Sequence, residues 1–315
     1  MAAAARLSAR ARPVSRPNPA VAAILVREDR VLARGWTQAG GRPHAEAVAL
    51  AGREDGGARG ETLYVTLEPC AHQSERGPAC TDLVIGARPA RVVIGQRDPD
   101  TRTAGAGIRR LERAGIRVAL LEDEVSRAAL APYLTRTALS RPRVTLKLAM
   151  SLDGCIALAD GSSRWITGEV ARAHVHTQRA RHDAILVGGG TWRADRPRLD
   201  VRQPGLEARS PDRYLLTRGV SPDGVRVINR PEQIAQMEGI SSLYVEGGAA
   251  VAASLLEADL VDELHLYRSP ILIGDGRRAI GGIGLSDLAE AHGRWRLVDT
   301  RTLGTDTFSL YWRSR

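Results

Sequence analysis

Apolar and polar positions change their period repeatedly along the chain, and each change marks a short element. Val21–Val26 is continuously apolar, and Val31–Gly35 follows after the charged turn Arg27–Arg30, which predicts a pair of strands. His44–Arg53 carries good helix formers with apolar Ala47, Val48 and Leu50 among them, and is expected to be helical. Thr62–Leu67 alternates and is rich in β-formers, so Glu68-Pro69-Cys70 is expected just beyond a strand. The pattern then reads helix (Thr81–Gly86), strand (Arg91–Gly95), helix (Gly107–Ala114, stopped by Gly115), strand (Ile116–Leu120) and helix (Glu122–Ala138). Strands alternating with helices predict a layered α/β domain.

Ser140-Arg-Pro-Arg143 places a proline between charges just before the fresh strand Val144–Ala149, and is the expected boundary between domains 1–140 and 141–315. Alternation resumes with helix Gly168–Arg181, strand Ala184–Val187 and the turn Gly188-Gly-Gly190. Tyr214–Thr217, Ser242–Val245 and Leu264–Tyr267 read as strands, with helix Ala249–Ala258 between the last two and Thr307–Trp312 as a closing strand. A length of 315 residues suits two domains of ordinary size.

Composition narrows the picture. The apolar runs are far shorter than the roughly 20 residues that span a bilayer, so no membrane association is expected. The start, Met1 to Arg10, is alanine-rich and basic. It fits the first turns of an amphipathic helix, and more loosely a transit peptide. Three cysteines, Cys70, Cys80 and Cys155, argue against a disulfide framework and for a reducing, cytoplasmic compartment. The net charge of +9 is diffuse, without charge blocks or aromatic-basic interleaving, so a nucleic-acid surface is not expected. Small phosphorylated substrates account equally well for scattered arginines. Of 45 basic residues only Lys147 is lysine. In so arginine-rich a chain it is a candidate for a task that needs a compact ammonium.

The chemistry concentrates in Pro43-His44-Ala45-Glu46, Glu68-Pro69-Cys70 and Cys80. One imidazole and two thiolates can hold zinc with a fourth position open, the arrangement of catalytic rather than structural zinc. Such an ion activates water for attack on an amino-bearing ring carbon, with Glu46 as proton shuttle beside it. His44 and Cys70 are each expected near a helix start, where the positive dipole end favours thiolate and metal. His72, between the cysteines, is a substrate contact or a solvated loop residue.

Tyr64-Val-Thr-Leu-Glu-Pro-Cys-Ala-His72, with His44-Ala-Glu46 and Pro17-Asn-Pro19 upstream, resembles the deaminase half of the bifunctional riboflavin-biosynthesis deaminase/reductase family. The nine residues between the cysteines are one more than the family usually carries. Resemblance implies a cytidine-deaminase-like three-layer α/β/α domain, with Asn18 at the position that contacts the pyrimidine. Arg16, Ala20 and Ala22 depart from the family pattern around it.

Similarity extends through the second half, where Lys147-Leu-Ala-Met-Ser-Leu-Asp-Gly154, Trp165-Ile-Thr-Gly168, Val187-Gly-Gly-Gly-Thr191 with Asp195 and Pro197, and Glu246-Gly-Gly-Ala249 match the reductase in order. The resemblance implies a dihydrofolate-reductase-like α/β domain that uses NADPH to reduce a phosphoribosylamino group to phosphoribitylamino. It places Lys147, Ser163, Arg179, Leu199, Arg202 and Glu246 at substrate positions, the two arginines as phosphate forks. Ala149, Trp165, Thr191, Asp195, Gly247 and Gly248 fall at cofactor positions. Lys147 would donate a proton, touch substrate or orient Asp153. Arg196, Cys155 and the segment Thr217–Pro222 depart from the family. Two alternatives therefore stand beside the bifunctional enzyme: a deaminase whose reductase half is silent, and a nucleic-acid base deaminase with an accessory domain. Two-domain enzymes of this kind are often homo-oligomers, which is the expectation here.

Overall fold

A computed structural model describes residues 1–220 and 222–315. Ser221, in the departing segment Thr217–Pro222, lies outside the described residues. The chain divides into two compact units, Met1–Ser140 and Arg141–Arg315.

The first unit is built on a five-stranded sheet. Its strands are β1 (Ala22–Arg27), β2 (Arg30–Trp36), β3 (Thr62–Leu67), β4 (Arg91–Gln96) and β5 (Arg117–Leu120), in the order β2-β1-β3-β4-β5. β1 runs antiparallel to both neighbours, whereas β3, β4 and β5 are parallel. Helices α1 (Ala2–Ser8) and α5 (Glu124–Leu139) pack on each other, and α2 (Ala45–Ala49), α3 (Cys80–Ala87) and α4 (Ala106–Arg113) form a second group. Leu63, Val65 and Leu67 alternate along β3 and are buried with Ala45, Ala49, Val84 and Leu111, so this face of the sheet fastens the second helix group. The basic N-terminus is thus a helix of this unit.

One helix is shorter than its composition predicts. The expected His44–Arg53 helix ends at Ala49, because Leu50 leaves helical geometry and Gly52 takes a left-handed φ of +71°.

The second unit carries an eight-stranded sheet ordered β10-β9-β8-β11-β6-β12-β15-β14. Its strands are β6 (Arg143–Met150), β8 (Ala184–Gly188), β9 (Asp212–Leu216), β10 (Arg226–Ile228), β11 (Ser242–Val245), β12 (Glu263–Arg268), β14 (Trp295–Leu303) and β15 (Asp306–Arg313). β7 (Cys155–Ala157) and β13 (Arg277–Arg278) form a separate small ribbon. The six strands from β10 to β12 are parallel, and β15 and β14 complete the sheet antiparallel. Helices α6 (Glu169–Arg179), α7 (Gly189–Asp195) and α8 (Ala249–Glu257) join them. β7, β10, β13 and β14 are not evident from the apolar pattern. β14 shows why: it is an edge strand whose side chains are mostly exposed, so it carries no alternation to read.

Candidate active sites

In the first unit, three local features converge on one point. His44 is extended (φ −70°, ψ 165°) and forms the N-cap of α2, while Glu46 lies in the first turn. β3 runs out through Glu68-Pro69 into Cys70, and Cys80 is the first residue of α3. Cys70 therefore stands in the loop after β3, and the helix start belongs to Cys80, a correction to the expected placement. Cys70 still feels that helix end, because the Cys80 N–H donates to its Sγ at 3.2 Å. His44 Nδ1 is 3.2 Å from Cys80 Sγ and 3.7 Å from Cys70 Sγ, and the three donor atoms lie within 4.8 Å of one another.

The electrostatics suit a metal centre. Hydrogen bonding from the Cys80 side chain, aided by His44, draws the Cys70 pKa down, and the same bond with burial pushes Cys80 up. Binding a cation at such a pair displaces thiol protons. Burial raises the Glu46 carboxyl to about 7 against the pull of His44, the range in which a carboxyl both takes and returns protons.

His44, Glu46 and Cys70 line a cavity of about 320 Å³. Asn18 lines it, with Nδ2 at 3.0 Å from both Gly41 O and His44 Nε2. Gly41 must be glycine: its φ is +85°, and a Cβ would come within 2.6 Å of the Asn18 side chain. His72 also lines the cavity, its Nδ1 3.4 Å from Thr103 Oγ1. The sequence reading missed Arg42, Arg76, Asp98, Arg102 and Tyr133, which complete the walls. Arg42 reaches Ser74 Oγ at 3.0 Å, and the Tyr133 hydroxyl donates to Asp98 at 2.7 Å. Burial raises the Asp98 pKa despite that bond. Nothing in local pattern unites these residues, since Tyr133 arrives on α5 and Asp98 on the loop after β4.

A second cavity, of about 840 Å³, opens in the second unit. Lys147 on β6 lines it, and burial lowers its pKa, opposed by nearby Glu246 and reinforced by Arg179. Asp153 is engaged elsewhere, accepting from the Ser151 hydroxyl and, at 2.7 Å, from Gly274 N–H. Among the readings of Lys147, orientation of Asp153 therefore falls away. Arg179 grips Glu246 with Nε to Oε1 at 2.6 Å and Nη2 to Oε2 at 2.9 Å, and its Nη1 donates to Asp200 O at 2.9 Å. The expected phosphate fork on Arg179 is thus engaged within the chain. Arg202 keeps an exposed guanidinium at the same cavity.

The other expected residues all border this cavity. Ser163, Leu199 and Ala149 lie along it, Leu199 with a left-handed φ of +56°. Trp165 is 69% exposed and carries the Arg172 guanidinium 4.8 Å from its ring. Thr191 and Asp195 belong to α7, and Gly247 and Gly248 to the turn that starts α8. Gly188 and Gly247 have a packing reason as well. A Cβ on either would strike Val251, at 2.5 and 2.8 Å, so both turns close onto α8 only as glycine. His176 was not anticipated. It lines the cavity and its Nδ1 accepts from Arg202 N–H at 3.2 Å, while burial, Arg179 and Arg202 lower its pKa.

A profile of the cytidine and deoxycytidylate deaminase zinc-binding region matches residues 1–96, and one of the RibD C-terminal domain matches residues 142–236 and 232–309. The riboflavin biosynthesis protein RibD of Escherichia coli is 35% identical over 97% of this chain and 96% of its own length. The chain belongs to the RibD family. RibD of Corynebacterium ammoniagenes is 40% identical over 84% of this chain and 83% of its own. A crystal structure of a diaminohydroxyphosphoribosylaminopyrimidine deaminase/5-amino-6-(5-phosphoribosylamino)uracil reductase from Thermotoga maritima superposes with a TM-score of 0.88. It is 30% identical over 99% of this chain and 97% of that one. RibD of Acinetobacter baumannii gives 0.85 at 29% identity, over 100% of this chain and 99% of that one.

RibD membership makes the chain a bifunctional deaminase and reductase of riboflavin biosynthesis, with a two-domain α/β fold and zinc and NADPH as cofactors. The residues fit both. One imidazole and two sulfurs, all facing one point, are the donor set of a tetrahedral zinc with an open position. The larger cavity has glycine-opened turns at its wall, where backbone N–H groups can meet a pyrophosphate. No helix among the described residues is long and apolar enough to cross a membrane.

Proposed function

We propose that the chain deaminates 2,5-diamino-6-(5-phosphoribosylamino)pyrimidin-4-one in the first unit. In the second it reduces the ribosyl side chain of the product, giving 5-amino-6-(5-phosphoribitylamino)uracil. The observation that carries this reading is the convergence of His44, Cys70 and Cys80 on one point, beside a cavity that His44, Cys70 and buried Glu46 line.

Zinc held by His44, Cys70 and Cys80 supplies a Lewis acid that makes water nucleophilic at neutral pH. Glu46 would pass the water's first proton to the ring nitrogen and then the proton of the added hydroxyl to the amino group, so that ammonia leaves and the ring carbonyl forms. Asn18 meets the pyrimidine edge while holding His44 in place. Arg42 and Arg76 stand at the cavity, where a guanidinium can meet the substrate phosphate, whereas Arg102 is paired with Asp100.

In the second cavity bound NADPH would supply the hydride that reduces the opened ribose. Ala149, Trp165, Thr191, Asp195, Gly247 and Gly248 receive the cofactor. Ser163, Leu199 and Arg202 receive the substrate, with Arg202 toward the phosphate. Lys147 is the polar donor at the reacting end. Arg179 acts by fixing Glu246 and the backbone at Asp200. We place the enzyme in the cytoplasm, in keeping with three free buried cysteines, as a homo-oligomer acting on small phosphorylated molecules rather than nucleic acid.

Incubating the purified chain with the diaminopyrimidine, with and without NADPH, and weighing the products tests the scheme. Deaminated product without NADPH and its reduced form with NADPH are expected. Ammonia release with no reduced product would reduce the chain to a deaminase, and neither product would overturn the proposal.

A further inference from the structure

The first cavity has a wall without an evident anchor. Asp98, Asp100 and Arg102 come from the loop between β4 and α4, a stretch exposed on its outer side. An exposed loop of nine residues has little intrinsic reason to hold one shape against a ligand.

The structure supplies a reason in Glu68, the acid of the Glu-Pro-Cys run. Glu68 is 2% exposed, and it borders the same cavity. No cation pairs with it among the described contacts. Its carboxylate instead collects three backbone N–H groups from across the unit: Ile108 to Oε1 at 3.1 Å, and Gly105 at 3.0 Å and Asp98 at 3.3 Å to Oε2. Its own N–H donates to Gln96 O at 2.9 Å, which ties it to the end of β4.

These partners bracket the loop. Asp98 is its second residue, Gly105 is the N-cap of α4 and Ile108 is the third residue of that helix. Glu68 therefore caps α4 from a different strand, a task that no residue at the helix start performs, since Gly105 has no side chain. The fit is close. Gly107 sits so near that a Cβ there would come within 2.4 Å of Pro69 O and 3.0 Å of Glu68 Oε1. Inside this frame Asp98 accepts from Tyr133 and from Asp100 N–H, and Thr103, fully buried, reaches His72.

We propose that Glu68 is a positioning residue for deamination. Through three backbone hydrogen bonds it holds the 98–105 loop as the substrate-facing wall, two residues ahead of Cys70. It makes no hydrogen bond to His44, Cys70 or Cys80 among the described contacts. Because it shapes the wall and not the reacting groups, its loss weakens substrate binding more than turnover. The inference rests on the deaminase reading of this cavity.

The test uses the full-length, zinc-loaded chain. Glu68→Gln keeps the volume but, whichever way the carboxamide turns, sets an NH₂ against at least one N–H that needs an acceptor. Deamination KM is expected to rise about tenfold with kcat within about threefold, the signature of lost uniform binding. Zinc should stay at one per chain, and amides 98–108 should exchange faster with solvent. Gly107→Ala, which forces α4 away from Glu68, is expected to reproduce the KM effect if Glu68→Gln proves hard to fold. An unchanged KM with unchanged exchange at 98–108 would overturn the proposal, as would a fall in kcat at constant KM. Absence of ammonia release from the unmodified, zinc-loaded chain would instead remove the deaminase reading beneath it.

Discussion

Arg179 and Glu246 meet through two parallel hydrogen bonds, 2.6 Å from Nε to Oε1 and 2.9 Å from Nη2 to Oε2, at the wall of the larger cavity. Burial would raise the Glu246 carboxyl. The Arg179 charge and both bonds, with Lys147 and His176 nearby, outweigh burial and hold it at about 2. A planar fork on a carboxylate fixes orientation as well as charge. Glu246 is therefore held ionised well below neutral pH, its carboxylate oriented by the fork.

The pair makes stability depend on pH in one direction. The folded pKa lies below the ordinary 4.5, so the stabilisation is fully present above 4.5 and is lost as pH falls toward 2. A shift of this size corresponds to a loss on the order of 3 kcal/mol. Denaturant unfolding of the second unit across that window should show it. Glu246→Gln should be less stable at pH 7 and correspondingly flatter between 4.5 and 2. Parallel curves for the two proteins would remove Glu246 as the source.

Glu46 and zinc separate the two activities. Glu46→Gln keeps size and polarity but cannot move protons, so kcat for deamination should fall by roughly 10²–10⁴. Zinc content by elemental analysis should be unchanged, because Glu46 contributes no ligand atom to the His44, Cys70, Cys80 group. Stripping the metal with a chelator should end ammonia release and leave NADPH oxidation on the deaminated product intact. Deamination surviving in Glu46→Gln would sink the proton-shuttle assignment.

Lys147 allows a sharper distinction. Its ammonium sits in a partly buried site beside Glu246 and Arg179, where burial lowers its pKa. Lys147→Arg keeps the charge but brings a second planar fork next to the first. The reductase kcat/KM should fall on the order of 100-fold, about 2.7 kcal/mol of transition-state stabilisation, with deamination unaffected. Near-normal reduction by Lys147→Arg would mean that only charge matters there.

Much of this was legible in the chain because the elements carrying the chemistry are short and strongly patterned. β3 is read from Thr62–Leu67 without error, and the grouping of His44, Cys70 and Cys80 follows from residue type and spacing. The remainder depends on long-range placement. Tyr133 and Asp98 are 35 positions apart and meet only because α5 packs beside β4. Arg179 reads as a phosphate fork until its true partner, 67 positions away, is seen. Glu68 reads as part of a cysteine motif, although its bonds run to residues 30 to 40 positions on.

Asn18 offers the most discriminating test of the metal centre. It reaches His44 on the nitrogen turned away from the sulfurs, at 3.0 Å, and also meets Gly41 O. A partner there sets the ring plane and aims Nδ1 at the metal position, and losing such a partner typically costs 10–100-fold in metal affinity, about 1.4–2.7 kcal/mol. Asn18→Ala should therefore lower zinc affinity by roughly that factor in a competition titration, besides raising KM for the pyrimidine. Gly41→Ala separates the two effects. Its methyl group would displace Asn18 from His44 without removing the carboxamide, so zinc affinity should fall there too. If both variants bind zinc as tightly as the parent, Asn18 serves the substrate alone.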